Sequence, residues 1–81
     1  MIYTFTPRFV RSYRAFETNV QKKFDKQLAY LLVNLTHSSL HAKKFDEARG
    51  IWQARVDRSI RFYFLIERNT YILLDITKHT K

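Results

Sequence analysis

The sequence predicts a single α+β domain, an N-terminal strand and a helical hairpin followed by a three-stranded antiparallel meander. Three observations predict it. Two amphipathic stretches with helical spacing follow one another across residues 8–35. Residues 52–77 hold three β-prone runs separated by turn residues. With 81 residues, 46% hydrophobic and 16% aromatic, the chain can fill one core and has no room for a second. The domain therefore spans residues 1–81, in the element order β-α-α-β-β-β.

Ile2 to Thr6 alternates apolar and polar residues and reads as a short strand ended by Pro7. Pro7 suits the first turn of a helix, where its missing N–H goes unused. Phe9, Tyr13 and Phe16 then recur at helical spacing, with Arg8, Arg11 and Arg14 on the other side. Thr18 followed by Gln21 has the form of a capping box. A second helix is predicted from about Asn19 to Leu35. Phe24, Leu28, Leu31, Leu32 and Leu35 form its apolar face, and Lys22, Lys23 and Lys26 its solvated face.

Residues 36–50 are polar and mixed, and read as a connection ending in a turn at Gly50, the only glycine. Trp52 to Val56 reads as a strand, Asp57-Arg58-Ser59 as a turn, and Ile60 to Ile66 as a second strand rich in aromatic and branched residues. Arg68-Asn69 suits a tight hairpin turn before a last strand, Tyr71 to Thr77. Short loops make these three strands antiparallel neighbours. The hairpin must cover one face of their sheet to bury its own apolar stripe. Phe62 and Phe64 then face the helices.

Charge narrows the function. Fifteen Lys and Arg against seven Asp and Glu give a formal net charge of +8, which predicts an anionic partner. No apolar run approaches the roughly 20 residues that span a bilayer, and no charged-then-apolar leader opens the sequence. A membrane partner is not expected, and the cytoplasm is the expected compartment. With no cysteine, disulfides and Cys-based metal or redox sites are excluded. His37 and His41 lie four apart, but Ser38 and Ser39 favour a loop there and no third ligand is near, so no metal or cofactor is expected.

The basic residues concentrate at one end. Arg55, Arg58 and Arg61 recur every three positions across two predicted strands and their turn, and His79 follows the last strand. Arginine's planar fork matches two phosphate oxygens. Histidine moves protons near neutral pH. Metal-free cleavage of RNA needs both properties: a cation for the anionic phosphorane, and groups that take and give protons. Arg58, between Asp57 and Ser59, reads as a solvated turn residue or the partner of Asp57. Asp57 and Asp75 read as structural carboxylates that orient an arginine.

Trp52, Ala54-Arg55-Val56, Arg61-Phe62-Tyr63-Phe64, Leu73-Leu74-Asp75-Ile76 and His79 together form a pattern. It resembles the ending of short RelE-like toxins in the RelE/ParE superfamily of bacterial toxin–antitoxin systems. The resemblance covers nearly the whole chain, including its element order, size and charge. It implies a metal-independent endonuclease that cuts mRNA in the ribosomal A site, stops translation, and is held inactive by a cognate antitoxin laid over the basic groove. No small-molecule substrate is implied.

By that resemblance Arg55 takes a catalytic cationic position, Arg61 holds the scissile phosphate, and His79 is the general acid. Lys43, Lys44, Lys78 and Lys81 would grip RNA backbone. Gln53 stands where some members carry lysine. Many members continue beyond the histidine to an aromatic that stacks on a substrate base, a role left here to Trp52, Tyr63 or Tyr71. Two other functions share this family: inhibition of DNA gyrase in the ParE branch, and a catalytically degenerate relative that only binds RNA or an antitoxin.

Overall fold

The structure, a computed structural model, describes residues 1–79. The elements are β1 (Ile2–Phe5), α1 (Pro7–Ala15), α2 (Thr18–Val33), a 3-10 turn at Ser38–Leu40, β2 (Lys43–Asp46), β3 (Ile51–Arg55), β4 (Ile60–Glu67) and β5 (Thr70–Lys78). They form one mixed sheet in the order β1-β5-β4-β3-β2. β1 runs parallel to β5, and every other pair is antiparallel. The predicted α+β order holds, with one addition. The segment read as a polar connection contains β2, which extends the meander to four strands at its outer edge. Lys43, Lys44 and Asp46 hide that strand from an apolar pattern, as charged edge strands commonly do.

Thr6 starts α1. Its hydroxyl accepts the Phe9 N–H at 3.2 Å and shares its own hydrogen between the Leu73 and Leu74 carbonyls, at 3.0 and 3.1 Å. One side chain thus caps the helix and ties it to β5. A second tie follows where Ser12 Oγ donates to Asp75 Oδ1 at 2.6 Å. Asp75 therefore positions a helix, and it does not orient an arginine.

The predicted capping box does not form. Glu17 is the N-cap of α2 and makes no side-chain cap. Gln21 instead reaches back, and its Nε2 donates to the Tyr13 and Phe16 carbonyls at 3.0 and 3.1 Å. The two helices are so close in sequence that the carbonyls ending α1 lie within reach of the amide and compete for it.

The helices bury their apolar faces on one side of the sheet. Phe24 meets Phe62 edge-on at 5.1 Å and Phe9 at 5.0 Å. Phe62, Phe64, Ala54, Leu73 and Ile76 complete the layer, all of them buried. Leu73 and Ile76 are three apart, so strict alternation would send them to opposite faces. A bulge at Leu74 resolves this: Tyr63 pairs with Asp75 while Phe64 pairs with Leu73. The hairpin turn forms as predicted, with Arg68 and Asn69 at φ 47° and 69°, the left-handed values of a two-residue connection. Gly50 turns β2 into β3 at φ 69°.

Candidate functional site

One groove of about 1070 Å³ opens at the end of the sheet where β3 turns into β4 and β5 finishes. Arg55, Arg61, His79 and Lys43 all line it, although the chain separates them by up to 36 positions. Pairing explains the convergence. Arg55 is the register partner of Arg61, and Lys43 is the partner of Gln53, two residues before Arg55. Arg55, Arg61, Gln53 and Lys43 therefore share the sheet face away from the helices.

His79 lies one residue past β5, yet its position is defined. Its backbone N–H donates to the Ser59 carbonyl in the β3–β4 turn. Ile60 pairs with Lys78 just before it. The backbone of His79 is thereby anchored at the β3–β4 turn, between the strands that carry Arg55 and Arg61.

The arginines differ in their bonding. Arg61 is only 9% exposed. Its Nη1 donates to the carbonyls of Asp57, Arg58 and Ile60 at 2.7, 3.2 and 3.3 Å. One edge of its guanidinium thus braces the turn, and the groove meets the rest. Arg55 is half-buried, and no hydrogen bond engages its guanidinium among the described residues. Arg58 is exposed on the turn and also lines the groove. Three guanidinium groups in one concavity make a strong attractor for a phosphate.

The turn itself is built by Asp57. Its Oδ1 accepts the Ser59 and Ile60 N–H groups at 2.8 and 2.9 Å. Its Oδ2 pairs with Lys23 of α2 at 3.3 Å, so the partner of Asp57 is a helix lysine and not Arg58. Partial burial raises the carboxyl's pKa. The Ser59 N–H, the Lys23 ammonium and the Ile60 N–H together outweigh burial and hold it below its usual 3.8.

Behind the groove lies Gln27 of α2, a buried polar side chain. Its Nε2 donates to the Arg55 carbonyl at 2.9 Å and to the Ser39 carbonyl at 3.1 Å, and its Oε1 accepts from Ser39 Oγ. It locks β3 to the 3-10 turn. His41 follows that turn with φ 46° and lines the groove. The residue types around Gln27 and His41 carry no spacing signal for either role. Only the approach of the 3-10 turn to β3 creates them.

Other basic residues do not converge. Lys44 faces the opposite way from Lys43, with its Nζ 5.3 Å from the Trp52 ring and 3.7 Å from Glu47. Lys78 is exposed and does not line the groove. Lys81 lies outside the described residues. His37 stacks on Tyr30 at 3.9 Å and does not line the groove. Among the described residues, no group of three His, Asp or Glu side chains is placed to hold a metal ion. No helix there is long and apolar enough to cross a membrane.

No protein-family model matches the sequence, and no curated protein is significantly similar to it. Solved structures are another matter. A YoeB/ParE toxin from Agrobacterium tumefaciens superposes with a TM-score of 0.82 at 12% identity, covering 99% of this chain and 100% of its own. The fold is that of the RelE/ParE toxins. A YoeB–YefM toxin–antitoxin heterotetramer from Staphylococcus aureus gives 0.80 at 18% identity, over 99% of this chain and 98% of the matched one. The isolated Escherichia coli RelE toxin gives 0.78 at 13% identity, over 99% and 85%.

Proposed function

We propose that this chain is the toxin of a toxin–antitoxin pair and that it cleaves mRNA on the ribosome, in the cytoplasm. The observation that carries this reading is the convergence of Arg55, Arg61, Lys43 and His79 in one basic groove. The toxin–antitoxin assembly of a structural neighbour and the +8 net charge support a cognate antitoxin as the neutralising partner.

The chemistry follows from the side chains. The 2′-oxygen of a bound nucleotide attacks its own 3′-phosphorus while the bond from phosphorus to the next 5′-oxygen breaks. The products are a 2′,3′-cyclic phosphate and a free 5′-hydroxyl. Arg55 and the free edge of Arg61 stabilise the phosphorane, where negative charge builds on the non-bridging oxygens. His79 gives a proton to the departing 5′-oxygen. His41, the second imidazole on the groove, takes the 2′ proton. Histidine suits both jobs because its ordinary pKa is about 6.5. Lys43 holds the adjoining backbone.

The test is inducible expression of the wild type and of Arg55→Ala, with translation rate and mRNA 5′ ends followed together. The wild type should stop translation and produce new mRNA ends carrying 5′-hydroxyls. Arg55→Ala should do neither while accumulating to the same level. Growth arrest with intact mRNA and a DNA-damage response would overturn the assignment in favour of gyrase inhibition.

A further inference from the structure

The basic groove has an aromatic neighbour. Phe45, at the bulge of β2, is 58% exposed although it is one of the largest apolar side chains. Its ring meets the half-buried Tyr63 edge-on, 5.0 Å between centroids. This contact places Phe45 on the helix-free face, since Tyr63 pairs with Gln53 there. Tyr63 is two residues from Arg61 on one strand, and Phe45 is two residues from Lys43 on another. Each step of two residues along a strand covers roughly 6.6 Å. Register puts Tyr63 in one row with Gln53 and Lys43, a single step from the Arg55–Arg61 row, and Phe45 a further step along, so its ring lies beyond Lys43 and roughly 13 Å from the arginine pair.

We propose that Phe45 and Tyr63 form a stacking platform for a nucleobase that flanks, on the Lys43 side, the phosphate held by Arg55 and Arg61. This rests on the RNA reading above and adds a residue pair that grips the base. Cationic grooves flanked by aromatic rings are the general means of holding single-stranded nucleic acid. The rings meet edge to face, and the exposure of Phe45 leaves its ring accessible to a base. The other aromatics of this region are already engaged. Trp52 stacks on Phe64 at 6.2 Å and carries Lys44, and Tyr71 is buried.

The purified chain is titrated at low salt with a short single-stranded oligoribonucleotide and with an abasic oligomer of the same length and charge. Wild type should bind the base-bearing strand more tightly. Phe45→Ala should weaken that binding by roughly 5- to 150-fold, the usual value of one base–aromatic stack, and leave the abasic strand unchanged. Phe45→Leu, which keeps the apolar bulk without the ring face, should behave like Phe45→Ala, and Phe45→Trp should retain the preference. Arg55→Ala should weaken both strands equally.

A wild type that binds both strands equally well overturns the platform and leaves the cationic groove standing. Failure to bind either strand removes both readings. A Phe45→Ala variant that weakens both strands alike also overturns it. So does one that changes the sedimentation of the protein alone, because the pair would then be a protein–protein contact.

Discussion

Replacing Arg61 by alanine tests how this site is held together. The side chain is 9% exposed, and Nη1 donates to three carbonyls of the β3–β4 turn. The three bonds are unequal. That to Asp57 is 2.7 Å long, whereas those to Arg58 and Ile60 are 3.2 and 3.3 Å. The Ile60 carbonyl also accepts the Val56 N–H at 2.8 Å, so it does not become an orphan. Arg58 is exposed, and water can replace Nη1 at its carbonyl. One charge-assisted bond is thus lost outright, at about 1.5–3 kcal/mol. The buried stem is lost with it.

We expect a loss of about 2 kcal/mol from a domain of this size, whose total stability is roughly 4–12 kcal/mol. That corresponds to a fall of about 8–16 °C in Tm. Urea and thermal unfolding followed by the fluorescence of Trp52, the single tryptophan, measure it. Arg61→Lys keeps the stem and one donor and should lose about half as much. Arg55→Ala, with no bonded guanidinium to lose, should stay within about 0.5 kcal/mol of wild type. If Arg61→Ala and Arg55→Ala melt together, the bracing role of Nη1 is wrong. The consequence for function is direct: inactivity of Arg61→Ala mixes lost chemistry with a loosened turn, so Arg55→Ala is the cleaner probe.

Three further outcomes are expected. Gln27→Leu strands the carbonyls of Arg55 and Ser39 and should destabilise the fold by about 2–3 kcal/mol in urea; a change under 0.5 kcal/mol would mean water replaces the amide. The lowered pKa of Asp57 means that its stabilising contribution is full above pH 3.8 and fades as pH falls through its lower folded value. Asp57→Asn should therefore flatten the acid limb of the stability–pH curve, and an unchanged limb would contradict the Ser59, Lys23 and Ile60 contacts. Tyr13, partly buried and donating to Asp25 Oδ1 at 2.9 Å, has its pKa pushed up from 10.0 to about 12. It should support the fold below pH 10 and lose that contribution between pH 10 and 12. Ultraviolet titration of wild type against Tyr13→Phe detects this, and a Tyr13 ionisation near pH 10 would refute it.

The element types were legible because each rests on local periodicity or turn chemistry. Phe24, Leu28 and Leu31 fall on one helical face whatever lies opposite. Arg68-Asn69 accepts the left-handed conformation that a two-residue hairpin requires. β2 was not legible, since an edge strand of charged residues has no buried face to pattern it. The Leu74 bulge was not legible either, because it shifts the buried set of β5 from even to odd spacing.

The site divides along the same line. Sequence pattern singled out Arg55, Arg61 and His79, residues whose type and position suit phosphate chemistry. It could not separate Lys43 from Lys44: adjacent strand residues face opposite sides, and which side meets the groove is set by pairing with β3. Nor could it find His41, Gln27 or Phe45. Their roles depend on the 3-10 turn approaching β3 and on a bulge facing Tyr63. The sequence by itself determined the cationic character of this chain and the side-chain types at its basic end, because charge and side-chain type are local. Tertiary structure alone decided which cations share a groove, which one braces its wall, and which aromatics stand beside it, because strand register and loop contacts join residues far apart in the chain.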